Sequence, residues 1–156
     1  MKQTTIAFAL LIAVTALILP IGAQAHCEIP CGIYDDQLRF DLLSEHVTTI
    51  EKSMDQISLF SPEGEKNYNQ LVRGVGNKES HAEKFVGIVT QYFMTQRIKP
   101  VNHDLTEAYS AYQQKLSLLH QMLVEAMKCK QTIDKDHPAK LRGLLAEFHQ
   151  LYFGDK

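Results

Sequence analysis

The chain has 156 residues, 45% of them hydrophobic and 22% charged, with a formal net charge of −2 at pH 7. A mildly acidic chain without a basic stripe carries no footprint for nucleic acid. Its one long apolar run lies at the N-terminus, so nothing further along suggests a membrane segment.

That run reads as a leader. Lys2 gives a positive start, residues 6–19 are an apolar stretch of fourteen, and Pro20 and Gly22 break it before Ala23-Gln24-Ala25, a small-x-small cleavage signal. A spanning helix needs about twenty apolar residues, so the length suits a signal peptide cut by signal peptidase better than an uncleaved anchor. A lipoprotein signal would place a small residue directly before the modified cysteine, where this chain has His26. Loss of residues 1–25, whose only charged side chain is Lys2, takes the net charge from −2 to −3 and leaves one domain's length of chain, 26–156. The mature protein is expected in the periplasm or outside the cell rather than in the cytoplasm, with no membrane contact after cleavage.

The rest of the chain reads as helix. Asp35 and Asp36 cap a first helix with Leu38, Leu42, Leu43, Val47, Ile50, Met54 and Ile57 as its apolar stripe. Ser61-Pro62 reads as an N-cap followed by a proline at the first helical position. The second helix then carries Leu71, Val72, Val75, Ala82, Phe85, Val86, Val89 and Phe93 and ends before Pro100. Gly74 and Gly76 inside it predict a kink or a late start near Asn77. A third helix over 104–128 uses Leu105, Ala108, Tyr109, Tyr112, Leu116, Leu119, Leu123 and Met127. His137-Pro138 opens a fourth, with Leu141, Leu144, Leu145, Phe148, Leu151 and Tyr152 on one face and Gly154 just beyond. No stretch alternates with period two and no hairpin signal appears. The expected fold is an all-α, antiparallel up-down-up-down four-helix bundle over 35–156, preceded by a short N-terminal segment, 26–34.

Chemistry concentrates in that segment. Cleavage before His26 would free an α-amine beside an imidazole, with the thiols of Cys27 and Cys31 in the same short loop. The amine, the ionised amide of Cys27 and two thiolates supply a tetragonal donor set, which points to Cu(II) or Ni(II). Copper(II) tends to oxidise thiols, which favours nickel. A Cys27–Cys31 disulfide competes, because exported proteins live where thiols oxidise. Zinc would lack a fourth tetrahedral ligand. Three cysteines permit at most one intrachain disulfide; Cys129, in Lys128-Cys129-Lys130, reads as part of a solvated helix end whose lysines lower its pKa, and no role is assigned to it.

His26-Cys27-Glu28-Ile29-Pro30-Cys31-Gly32-Ile33-Tyr34 resembles the nickel hook of the nickel-containing superoxide dismutase family, His-Cys-x-x-Pro-Cys-Gly-x-Tyr at a mature N-terminus. Lys78-Glu79-Ser80-His81-Ala82-Glu83 and Gln91-Tyr92-Phe93 resemble family segments more weakly. The resemblance implies a four-helix bundle assembled as a homohexamer, one nickel ion per subunit, and dismutation of superoxide to oxygen and hydrogen peroxide by Ni(II)/Ni(III) cycling. His26 would give amine and imidazole, Cys27 amide nitrogen and thiolate, Cys31 thiolate. Pro30 and Gly32 would shape the turn, and Tyr34 would order water and restrict access at the open axial side. Tyr92 is a candidate to join Tyr34.

Departures from the family thin the outer shell. Glu28 stands where aspartate is often found, and Asp41 and His81 fall only near the glutamate and arginine that steady the axial histidine in some members. The other histidines, His46, His103, His120, His137 and His149, have no partner at helical spacing and read as surface or satisfied groups. Phe40, Phe60, Tyr92, Phe93 and Phe153 are candidates for subunit contacts. Two further classes stay open: an exported nickel-binding or delivery protein without redox turnover, and a disulfide-closed structural bundle.

Overall fold

The computed structural model describes residues 35–154. Four helices run in order: α1 (Asp36–Phe60), α2 (Gly64–Gly87), α3 (Thr106–Gln131) and α4 (Asp136–Gly154). A 3₁₀ turn, Ser61–Glu63, joins α1 to α2, and α2 passes directly into a π-helical segment, Ile88–Arg97. Each helix packs on its chain neighbours and α1 packs on α4, closing a ring. Cross-links fix the directions: Asn77 donates to Ser53, His81 faces His46 and Tyr92 reaches Asp36, so α1 and α2 are antiparallel. Arg142 reaches Glu51 and His149 reaches Gln37, which makes α4 antiparallel to α1 as well. This is the expected bundle.

The core follows alternating spacings of three and four, the pattern that keeps one seam facing a partner helix. In α1 the buried apolar residues are Phe40, Leu43, Val47, Ile50, Met54 and Ile57. The expected stripe started at Leu38, which is exposed; counting back from Leu43 by three lands on Phe40 instead. In α3 the seam is Leu119, Met122, Ala126 and Cys129, one position round from the expected Leu123 and Met127. In α4, Leu141, Leu145, Phe148 and Tyr152 are buried as the pattern indicated, Leu144 and Leu151 are half-buried, and Pro138 joins the buried face. Phe40, Tyr92 and Phe93, expected as candidates for subunit contacts, lie inside the chain's own core. Phe40 sits at centroid distances of 4.9 Å from Phe93 and 5.4 Å from Phe148.

Two expectations for the α1–α2 junction change. Ser61 is not an N-cap: its hydroxyl donates back to the Ile57 carbonyl. The glycines do not delay α2, which starts at Gly64 and runs unbroken through both. Gly74 has a packing reason, since a Cβ there would lie 3.1 Å from Ile57 Cγ1; the absent side chain lets α2 approach α1. Val72, counted in the stripe, is 70% exposed.

Cys129 is also corrected. It is fully buried, and desolvation pushes its thiol up to about 12, with Glu125 adding to the rise. Neighbouring helix residues point about 100° apart, so Lys128 and Lys130 reach carboxylates on either side, at Glu125 and Glu83, while Cys129 turns inward. Just beneath, Lys78 is 3% exposed and its Nζ donates to the carbonyls of Cys129 and Lys130, satisfying acceptors that the end of α3 leaves open. Lys78→Met should therefore cost about 1–3 kcal/mol by leaving buried carbonyls without donors, read as a lower denaturant midpoint with unchanged slope. Cys129 should resist iodoacetamide at pH 8 in the folded protein and react once guanidinium unfolds it; rapid alkylation of native protein would contradict this burial.

Candidate metal centre

The expected hook residues His26, Cys27, Pro30, Cys31, Gly32 and Tyr34 lie outside the described residues. The described residues begin directly after that segment, at Asp35. Asp35 caps α1, its Oδ1 accepting from the Leu38 amide at 2.9 Å. The next side chain, Asp36, does not serve the helix. Its carboxylate, 10% exposed, accepts from Arg97 Nε at 2.8 Å and Arg97 Nη2 at 2.7 Å, a two-pronged ion pair. Tyr92 donates to the same carboxylate at 2.7 Å and Tyr152 at 2.9 Å. One acid thus ties together α1, the π segment and α4.

The π register makes this possible. On an α-helix, residues five apart point about 140° away from one another; a hydrogen-bond repeat of i to i+5 brings them onto one side. Tyr92 and Arg97 are five apart. Side chains support the wider turn: Thr95 donates to the Thr90 carbonyl, Gln96 to the Gln91 carbonyl, and the Ile98 amide closes the segment on Phe93. Arg39 stacks its guanidinium 4.9 Å from the centre of the Tyr92 ring.

Electrostatics follow from these contacts. Burial pushes the Asp36 carboxyl up, but Arg97 and the two phenols outweigh it and hold it below the ordinary carboxylate range. Burial and the Asp36 hydrogen bond raise both Tyr92 and Tyr152, so both phenols stay protonated at neutral pH. The hydroxyl of Tyr92 donates to Asp36, an arrangement the sequence did not indicate.

The outer-shell candidates separate. Asp41 is exposed and accepts from Gln37 on its own helix at 2.9 Å. His81 instead meets His46, with Nδ1 atoms 3.1 Å apart across the α1–α2 interface. One ring must donate and the other accept, so the contact requires a neutral imidazole. Burial lowers both pKa values; the mutual charge lowers His46 further, Lys84 lowers both, and Glu45 opposes. Among the described residues no group of three or more His, Cys, Asp or Glu side chains is placed to hold a metal ion.

Residues 22–156 match the family model of nickel-containing superoxide dismutase. The chain belongs to this family. It is accordingly an oxidoreductase that acts on superoxide and carries nickel, one ion per subunit. Searches of curated proteins and of solved structures return no match. In this dismutase sequence reasoning singled out Tyr92 and His81 but missed Asp36, Arg97, Tyr152 and His46. In the sequence Asp36 has the look of a cap, and the others gain their partners only through tertiary contacts between helices.

The His46–His81 pair predicts a pH dependence of stability. In the unfolded chain the rings titrate near 6.5; in the folded chain they resist protonation. Stability present above that value is therefore lost as the pH falls through it towards the lowered folded pKa values. The melting temperature should drop between pH 7 and pH 5, and the double variant His46→Gln, His81→Gln should show a smaller drop over the same interval.

Proposed function

We propose that nickel is held by the segment that begins at His26 once signal peptidase has removed residues 1–25, and that the mature enzyme consists of a hook, 26–34, on a bundle, 35–156. The observation that carries this reading is the run His26-Cys27-x-x-Pro30-Cys31-Gly32-x-Tyr34 lying inside the region matched to the family and directly behind a cleavage signal. The donor set suits the metal: an amine, an ionised amide, an imidazole and two thiolates are anionic or strong-field ligands that stabilise the higher oxidation state of nickel. Bound nickel supplies a one-electron couple between its +2 and +3 states, which oxidises one superoxide to oxygen and reduces the next, with two protons, to hydrogen peroxide.

The chain's own residues do the rest. His26 gives its α-amine and imidazole, Cys27 its amide nitrogen and thiolate, and Cys31 the second thiolate. Pro30 and Gly32 shape the turn, and the hydroxyl of Tyr34 orders water and limits entry to small anions. Because the net charge is negative, attraction of superoxide falls to local cations. A groove at the Arg97 end of the bundle is lined by Lys99 and Lys115 beside Arg97, whose own charge is matched by Asp36. Export places the enzyme in the periplasm or outside the cell, and subunits assemble as a homohexamer.

Sequencing the N-terminus of protein purified from its native host, with nickel content and superoxide consumption measured on the same sample, tests this reading. It expects His26 as the first residue, one nickel per chain, and loss of both metal and activity in Cys27→Ser. Nickel without superoxide consumption would identify a delivery protein, and a chain lighter by two hydrogens and free of nickel would identify a disulfide-closed bundle.

A further inference from the structure

We propose that His46 and His81 form a second metal site, an exchangeable clip across the α1–α2 interface for a divalent late first-row ion such as zinc. The site lies wholly within the bundle and is independent of the hook reading above. Its two side chains present like atoms to each other: Nδ1 faces Nδ1 at 3.1 Å, with ring centroids 5.0 Å apart and ring planes at 80°. Zinc–imidazole bonds are about 2.0–2.1 Å long, so one ion bonded to both nitrogens would close an angle of roughly 100° at the metal. That angle falls between those of a square and a tetrahedral site, the two geometries that late first-row ions adopt with nitrogen donors. Donors already this far apart need little movement to take an ion.

Packing holds the pair in register. His46 is itself buried beside the fully buried Val47, and His81 adjoins the fully buried Ala82, so core contacts set both backbones. His81 is half-buried, which gives water a way to the remaining coordination positions. Burial disfavours the imidazolium at both rings, so each keeps a nitrogen lone pair at neutral pH. As a hydrogen bond, the contact needs one ring protonated on Nδ1 and the other bare there. Metal entry moves that one proton: the ring loses it from Nδ1 and gains one from water on Nε2, with no net release. Other histidines are engaged differently, His137 Nδ1 with Glu125 and His149 Nε2 with Gln37, and among the described residues no other two imidazoles face each other. Two exposed charges bias the site in opposite senses, the Glu45 carboxylate favouring positive charge at both rings and the Lys84 ammonium opposing it. Two protein ligands fall short of the four of a structural zinc site, so the ion exchanges with solvent and adds to a bundle that folds without it.

The test titrates zinc into the mature protein in wild type, His46→Gln, His81→Gln, Glu45→Gln and Lys84→Gln, following bound zinc per chain, melting temperature and the nitrogen NMR spectrum of labelled histidine. Wild type should bind one zinc more per chain than either histidine variant, and its melting temperature should rise further with zinc than theirs. Zinc taken up by the N-terminal cysteines is common to all five proteins and cancels in the comparison. At saturation both rings should carry their proton on Nε2, with both Nδ1 signals shifted by the metal. Glu45→Gln should weaken zinc binding about two- to fivefold and Lys84→Gln tighten it by a similar factor, the scale of an exposed charge acting on a dication. Both are surface changes, so they supply the readout if a histidine variant fails to fold. Equal zinc uptake in wild type and the histidine variants, or a wild-type spectrum that keeps one ring protonated on Nδ1 at saturating zinc, would overturn the site and leave the hook reading intact.

Discussion

One carboxylate sets the end of this bundle. Asp36 receives two hydrogen bonds from Arg97 and one each from Tyr92 and Tyr152, so the start of α1, the π segment and the last turns of α4 meet at a single buried charge. Such a charge is tolerated only while every partner is present, because an uncompensated buried ion is costly. The aromatic floor beneath it, Phe40 against Phe93, Phe148 and Tyr152, excludes water and strengthens the electrostatic contacts. Packing and charge therefore support one another at this end. At the opposite end a different device, the buried Lys78 ammonium on the last carbonyls of α3, holds α2 to α3.

Among the described residues no group of three or more His, Cys, Asp or Glu side chains is placed to hold a metal ion, and on the proposed reading the nickel ligands come from the short segment before residue 35. This division of labour explains the modest electrostatics of the described residues. Their shifted groups either lock helices together, as at Asp36 and Glu125, or sit neutral at an interface, as at His46 and His81.

Most of the architecture was legible because amphipathic stripes carry it. The four helices, the all-α class and the face of α4 follow from spacing alone. Errors arose where bulk was taken for burial: Leu38 and Met127 are large and exposed, while Ala126 and Cys129 are small and buried. The π segment was invisible because a stripe counted at 3.6 residues per turn contains no mark of one widened turn. Arg97 and Tyr152 lie 61 and 116 residues from Asp36, distances at which no local pattern links side chains. The hook motif could be proposed for the opposite reason: His26, Cys27 and Cys31 fall within six residues, so a local pattern is enough to single them out.

The up-down-up-down path brings residues 36 and 152 into hydrogen-bonding contact, so the end of α4 lies beside the place where the N-terminal segment begins. This matters for handling the protein. On the proposed reading the His26 amine must stay free, which rules out an N-terminal fusion and moves an affinity tag to the other terminus. A polyhistidine tail there would add a second nickel chelator to a nickel protein, so a neutral peptide tag is the better choice for recombinant work.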